Sequence, residues 1–416
     1  MTNVKIDEQG HCKVKLQIEI PSEEIQKEIE DIYRELSKSA KVPGFRSGKV
    51  PRKILEARYK DYVFEETQKK VISKGYQDAI KQKNLNPVNI PKIDNVTYDE
   101  DKPLSFSAEV EIAPEVGVKN YTGIKLKVNK IKIEDIEVED YLEKLRESHA
   151  TLENVEDRPL VKGDYAIIDY SIVSDEGDKV EEGKSKLMLL QPEGVFIADI
   201  INDMEGMNIG EIKNVSTILP DNYYKKEFSG HKVSIEIGLK EIKEKMLPEL
   251  NDEFAKSLGK FETVGELKEQ IIKVITEQKK SDQKKEGKAQ IGDYLLDQYE
   301  FELPQSVMDL EKRSVLRERQ ITLKEGDKIP AEVIAEAKNR VKLSYILAEV
   351  AEKENIKVES KEIESTVRHT AYSLNVSYEK LRDHLVETGG IYGVQERILQ
   401  EKVLDYLFDN SKVVEK

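Results

Sequence analysis

The sequence predicts a multi-domain α+β chain: an N-terminal α+β domain, a small β-rich domain, and a mostly α-helical C-terminal domain with extended arms. Three observations predict it. At 416 residues the chain is longer than one hydrophobic core normally serves. Strand-like alternation is confined to residues 11–20, 106–112 and short runs between 165 and 242, whereas everything from Leu247 onward repeats at helical spacing. Charged residues make up 36% and aromatics 6%, with no tryptophan, which leaves modest apolar surface and suits an elongated, well-solvated shape.

In residues 11–20, Cys12, Val14, Leu16, Ile18 and Ile20 alternate with Lys13, Lys15, Gln17 and Glu19, the period of a half-buried strand. That alternation assigns Cys12 to a buried strand position. Pro21 ends the strand, and Ser22 is placed to cap a helix with Glu23 and Glu24 in its first turn. Ile25, Ile29, Ile32, Tyr33 and Leu36 form its apolar face. Pro43 and Gly44 stop this helix, Gly48 permits φ > 0, and Pro51 suits the first turn of the next, so residues 44–51 form a shaped tip between two long helices. The second helix carries Ile54, Leu55, Tyr59, Tyr62, Val63, Val71, Ile72, Tyr76 and Ile80 in helical register with interruptions. A polar, proline-marked stretch over 84–91 precedes a strand through Phe106, Ala108, Val110 and Ile112.

Residues 121–153 read as a strand and then a helix with Ile136, Tyr141, Leu142 and Leu145 on its apolar side, a connector between domains. Strands at 165–173, 215–219 and 233–242, with turns at Gly177-Asp178 and Pro220-Asp221-Asn222, make a β-rich module of about minimal size. Thr263 and Glu266 form a capping box for a helix running past Ile275 to Leu295 and Leu296. Further helices start at Pro304, near Pro330, at Ser360 and at Ser377, and a last one spans 392–407. The domain boundaries read as 1–113, 114–153 for the connector, 154–243 and 244–416.

Charge narrows the function. The formal net charge is -15, so the body repels phosphates, which argues against a general nucleic-acid binder, confines any RNA contact to a small patch and leads us to expect no DNA partner. Lys38, Lys41, Arg46, Lys49, Arg52 and Lys53 follow one another around the tip with no acid among them, a local reversal of sign. A turn solvated by lysines accounts for the charge alone. Phe45 at the apex gains nothing from the core there and suits an anchor for a polyanionic partner. A second basic run, Lys279, Lys280, Lys284, Lys285 and Lys288, is interleaved with acids and reads as a solvated helix face. Gly44 to Gly48-Lys49 is one residue short of a phosphate-binding loop, and Val50 stands where a magnesium-holding hydroxyl is needed. The five histidines fall singly and the only cysteine is Cys12, so no metal, cofactor or disulfide is expected. No apolar leader or membrane-length run occurs, and the chain is expected to be cytoplasmic.

Gly44-Phe45-Arg46-Ser47-Gly48-Lys49-Val50-Pro51 resembles the signature loop of the trigger factor family, ribosome-associated bacterial chaperones, and the likeness extends along the chain. The resemblance implies a ribosome-binding domain at 1–113 whose Phe45, Arg46 and Lys49 touch the large ribosomal subunit near the exit tunnel, with Gly44 and Gly48 shaping the loop. Ser47 stands where relatives often carry a base. Residues 154–243 resemble the FKBP-type prolyl isomerase domain of that family through Gly163-Asp164, Ile168-Asp169-Tyr170, Glu181-Glu182-Gly183-Lys184, Met204-Glu205-Gly206-Met207 and Leu219-Pro220-Asp221-Asn222-Tyr223. The implied groove comprises Tyr170, Val180, Glu181, Phe196, Ile197, Ile200, Tyr223 and Ile235. Val180, Ile200 and Ile235 replace phenylalanines of the family, so isomerase activity is expected to be weak or absent, and a scaffold module without catalysis stays open.

Residues 244–416 resemble the family's helical substrate-binding domain. The partners implied are the large ribosomal subunit and unfolded nascent polypeptides, with a homodimer off the ribosome and neither DNA nor membrane. With no nucleotide site, client binding is expected to be ATP-independent. A free-standing prolyl isomerase whose helices dimerise it or bind a dedicated partner stays open. A parvulin-type envelope chaperone is opposed by the missing leader.

Overall fold

The computed structural model describes residues 2–10, 12–43, 45, 48–98, 102–191, 199–221, 223–324 and 326–415. Two compact units emerge, one of residues 1–130 with 282–416 and one of residues 131–281.

In the first unit, β1 (Asn3–Gly10), β2 (Lys13–Ile20), β3 (Lys92–Thr97) and β4 (Leu104–Glu111) form an antiparallel sheet in the order β1-β2-β4-β3. The alternation read from the sequence sets the β2 register, with Val14, Leu16, Ile18 and Ile20 all at or below 3% exposure. Opposite them Leu104, Phe106, Ala108 and Val110 complete the inner face. Cys12 departs from its expected place. It occupies the β1–β2 turn at φ 59, half-buried, and its Sγ donates to the Glu302 carbonyl at 3.3 Å. β1 is unforeseen because it is an edge strand that buries Val4 and little else.

Two helices carry the tip. α1 (Ser22–Ser39) buries Ile25, Ile32 and Tyr33, and α2 (Arg52–Gln82) lies across the sheet through Val71, Gly75 and Ala79. Ser22 does not cap α1. It is the first helical residue, and Pro21, which has no side-chain group able to cap, holds the cap position. α1 also ends at Ser39, ahead of Pro43, because Ala40 turns extended (φ -67, ψ 130). A Cβ on Gly75 would stand 2.4 Å from Ile20 Cδ1, so helix and sheet approach closely there and a larger residue would have to displace the end of the Ile20 side chain. α2 is interrupted at Tyr59 (φ -122, ψ 15). The turns before that break join Ala40, Val42, Val50, Leu55 and Tyr33 in a small core of their own, separate from the sheet's.

The remainder of this unit is helical. It takes α6 (Val264–Gln298) from Asp282 onward, then α7 (Gln305–Glu318), α8 (Ala331–Lys353), α9 (Ser360–Ser373), α10 (Tyr378–Glu387) and α11 (Gly390–Asp409). Four helices end alike. Asn84, Gln320, Asn355 and Asn375 take φ between 49 and 55, and the apolar residue after each donates back across the last turn, as Leu85 N does to Ile80 O at 3.1 Å. At the start of α6 the Thr263 hydroxyl accepts from Glu266 N, while Glu266 reaches back to Glu262 N rather than to Thr263 itself. Residues 116–128 thread into the helices: Val118, Ile124, Leu126 and Val128 pack on Ile291, Leu295, Ile346, Leu347, Val403 and Leu407. There β5 (Lys125–Val128) pairs in parallel with β11 (Lys412–Glu415).

The expected solvated lysine face on α6 is corrected in part. Lys284 and Lys288 bind Asp405 at 2.5 and 3.0 Å, and Lys288 also binds Glu401 at 2.6 Å, fastening α6 to α11. Lys279, in the second unit, holds Glu137 and the Lys132 carbonyl at 2.6 Å. Their acidic partners lie far off in sequence, so spacing within the helix gives no sign of them.

The second unit contains α3 (Asp135–Ser148), β6 (Thr151–Val155), β7 (Tyr165–Ser174), β8 (Lys179–Leu189), α4 (Asp199–Met204), β9 (Ile212–Ile218), β10 (Lys232–Met246) and α5 (Asp252–Ser257). β10 pairs with β7 along most of its length, with β9 by its first half and with β6 by its second. β8 closes the other side of β7. The sheet packs Ile168, Ile172, Val180, Ile235 and Ile237 against Ile200, Ile201 and Met204 of α4. Asp164, 3% exposed, receives both guanidinium nitrogens of Arg158 at 2.6 and 3.0 Å and the Val161 N–H at 3.0 Å, fixing the entry to β7. α3, α5 and the first turns of α6 share a separate cluster through Leu142, Phe254 and Leu267.

Candidate functional site

The tip is the first candidate. Its stem is packed: Ala40, Val42 and Val50 are 7%, 5% and 5% exposed. Phe45 N donates to Val42 O at 3.1 Å, and the Phe45 side chain is 42% exposed. Gly48 takes φ +82, where a side chain would be strained, and Lys49 is exposed. Gly44 and Arg46, with Ser47, lie outside the described residues. Arg52 is committed elsewhere: its guanidinium lies 3.6 Å over the Tyr33 ring and its Nε binds Glu56 at 2.7 Å. Local packing therefore withdraws one of the six cations counted from the sequence. A small aromatic and cationic surface remains on a stem that need not reorganise to present it.

The second candidate is built on β8 and the loop after β9. Val180 sits in a bulge of β8 at 2% exposure, and Glu181 pairs with Ile172, so its side chain shares a face with Ile172 and Tyr170, where three phenols meet it. Tyr170 donates to Glu181 Oε1 at 2.6 Å, and Tyr223 and Tyr224 donate to Oε2 at 2.8 and 2.6 Å. Gly183 makes room: a Cβ there would stand 2.4 Å from the Tyr170 ring. Lys225 Nζ donates to the Val180 carbonyl at 2.5 Å. Tyr223, Ile200 and Ile235 are 4%, 6% and 1% exposed, so the aliphatic positions form a floor sealed into the module's core. Phe196 and Ile197 lie outside the described residues. Tyr224 and Lys225 were not anticipated as site residues. Their signal was the Tyr223-Tyr224 doublet directly after the turn, which reads in sequence as ordinary loop.

The electrostatics favour an ionised Glu181 and protonated phenols near neutrality. Burial pushes the Glu181 carboxyl upward, but the hydroxyls of Tyr170, Tyr224 and Tyr223, helped by Lys225, outweigh it and hold the group below its usual range. Burial and then the Glu181 bond push Tyr170 up to about 12 and raise Tyr223 further. Tyr224 is raised chiefly by its bond to Glu181. The carboxylate stays ionised and the phenols stay protonated, which leaves binding and desolvation as the means of action. Among the described residues no group of His, Cys, Asp and Glu is arranged to hold a metal ion. No helix among them is long and apolar enough to cross a membrane.

Comparison with known proteins agrees with this architecture. The family model for the bacterial trigger factor protein matches residues 2–145, and that for its C-terminus matches 263–409. Trigger factor of Syntrophus aciditrophicus is 32% identical over 88% of this chain and 86% of its own. That of Syntrophotalea carbinolica is 31% identical over 99% of this chain and 96% of its own. That of Halothermothrix orenii is 28% identical over 98% and 99%. A solved structure from work on promiscuous substrate recognition by the trigger factor chaperone shares the fold, with TM-score 0.60 at 23% identity over 98% of this chain and 99% of that one. Relatives this similar along nearly the full length, with both terminal models matched, mean that the chain belongs to the trigger factor family of chaperones.

Proposed function

We propose that the protein is an ATP-independent cytoplasmic chaperone that docks on the large ribosomal subunit near the exit tunnel and shields nascent chains. Residues 1–113 dock, 154–243 form a prolyl isomerase module of low activity, and 244–416 bind clients, with 114–153 as connector. The observation that carries this reading is Phe45, 42% exposed on a stem whose Ala40, Val42 and Val50 are buried. An aromatic ring kept out of an available core beside exposed Lys49 is suited to a protein and RNA surface. Gly44, Phe45, Arg46, Gly48 and Lys49 are the docking residues in this reading.

Client binding has support of another kind. Leu310, Tyr372, Leu374, Val386 and Tyr392 on the C-terminal helices are 63%, 86%, 61%, 60% and 74% exposed. Scattered apolar side chains on charged helices suit weak, multivalent capture of unfolded chain, and the same side chains favour self-association off the ribosome. For the isomerase module, the barrier is the roughly 18–20 kcal/mol of amide resonance. A groove lowers it by desolvating the imide and favouring the twisted amide. Tyr170 and Tyr223 supply ordered walls, and the small aliphatic floor argues for a low rate.

Co-sedimentation with ribosomes tests the docking. Phe45→Ala with Lys49→Ala is expected to abolish pelleting at moderate salt while leaving the circular dichroism spectrum unchanged. Binding that survives both substitutions refutes the assignment. A salt series on the unaltered protein should give a shallow slope, reflecting few phosphate contacts.

A further inference from the structure

We propose that Tyr224 and Lys225 are positioning residues of the isomerase groove: they strap the loop after β9 onto β8 and thereby hold Tyr170 and Tyr223 in place. The inference rests on the isomerase reading above and adds to it the part of the chain that keeps the groove ordered. Three consecutive residues, Tyr223, Tyr224 and Lys225, all bond to two consecutive residues of β8, Val180 and Glu181. The pattern is directional. The two phenols converge on Glu181 Oε2 at 2.8 and 2.6 Å, and Lys225 reaches past them to the Val180 carbonyl at 2.5 Å.

Burial separates the strap from the wall. Tyr223 is 4% exposed and belongs to the module's core, whereas Tyr224 is 65% exposed and gains little by packing. A ring so exposed is normally free to turn. This one is fixed by its hydroxyl at Glu181, by the Tyr223 ring at 4.8 Å between centroids, and by Lys225 Nζ at 5.6 Å from its own centroid. Such anchoring of a side chain that buries so little area acts on the carboxylate at its end. Glu181 Oε1 holds the Tyr170 hydroxyl, so a carboxylate pinned by Tyr224 also pins Tyr170 on the far side. Core packing already buries the Tyr223 ring, yet the hydroxyls of both phenols end on Glu181, the carboxylate that the strap pins.

The test uses the full-length protein and two readouts. Tyr224→Phe keeps the ring and removes the hydroxyl, and Lys225→Met removes the bond to Val180. Prolyl isomerisation of a proline-containing peptide is followed by NMR exchange, and ring motion of Tyr170 and Tyr223 by relaxation of labelled tyrosines. Each variant is expected to lower kcat about three- to tenfold with KM within about twofold, since a groove held in one shape acts on the twisted amide more than on bound substrate. Both rings should flip faster while the melting temperature stays put, and the double variant should add little to either single one because both cut one strap. Unchanged ring motion overturns the inference whatever the rate does. A loss confined to KM also overturns it, by making Tyr224 a substrate contact. If the unaltered protein neither binds nor isomerises the peptide, the isomerase reading fails and the catalytic role falls with it, and the ring dynamics still decide whether the strap exists.

Discussion

Glu111 ties the sheet behind the tip to the helical part of the same unit, and its removal gives the sharpest test of that joint. The carboxylate ends β4, is 6% exposed, and accepts from Ser306 N at 2.8 Å and from Ser306 Oγ at 2.6 Å at the start of α7. It serves α7 as a capping group, and Pro304 at the cap position has no side chain able to do so. A hydrogen bond to a charged partner contributes about 1.5–3 kcal/mol net, and loss of a helix cap costs about 1 kcal/mol. Water can reach a freed first-turn N–H more readily than one in mid-helix, which lowers the total. Glu111→Ala should therefore cost about 2–4 kcal/mol locally, and Glu111→Gln, which keeps an acceptor, about half as much. Hydrogen exchange of the first-turn amides of α7 reads this directly, as opening free energies before and after substitution. In a double-mutant cycle, Glu111→Ala and Ser306→Ala should be non-additive by about 1 kcal/mol or more. Protection factors within about 0.5 kcal/mol of the unaltered protein, or strict additivity, would refute the joint.

Three further outcomes follow from close contacts and charge. Gly183→Ala places a methyl 2.4 Å from the Tyr170 ring, which must shift to admit it, so overpacking of about 1–3 kcal/mol and loss of the Tyr170 to Glu181 bond are expected by melting and NMR. Gly287→Ala gains about 1 kcal/mol of helix propensity but puts a Cβ 2.4 and 2.7 Å from two carbons of the Phe408 ring, so net destabilisation around α11 and β11 is expected by hydrogen exchange. For Asp164, burial pushes the pKa up, but the Arg158 bonds and the Val161 N–H outweigh it and leave the carboxyl below its unfolded value. A depressed folded value means its stabilisation is complete above the unfolded pKa of about 3.9 and fades as pH falls through the folded one. Stability of the second unit should accordingly drop on acidification below about pH 4, and Asp164→Asn should flatten that drop while weakening the unit at pH 7.

Periodicity and punctuation alone determined much of this protein. The alternation of Val14, Leu16, Ile18 and Ile20 fixes which face of β2 is buried, because a strand repeats every two residues whatever it pairs with. Prolines 304 and 330, and Ser377, start helices in the folded chain as they do on paper, since capping depends only on neighbouring backbone. The tip loop was legible for the same reason: its glycine turn and unpaired aromatic are local features. Tertiary structure decided whatever depends on partners remote in sequence. Cys12 alternates with strand residues yet sits in a turn, because the β1–β2 hairpin needs a residue at positive φ there. Arg52 counts as a tip cation until Tyr33 and Glu56 claim it, and the lysines of α6 look solvated until Glu401 and Asp405 come into reach. Glu181 is one acid in an acidic chain, and only folding brings Tyr170, Tyr223 and Tyr224 to its two oxygens. Local rules set where backbone turns and which face is apolar, whereas a polar side chain's role is set by what the fold carries within about 3 Å of it.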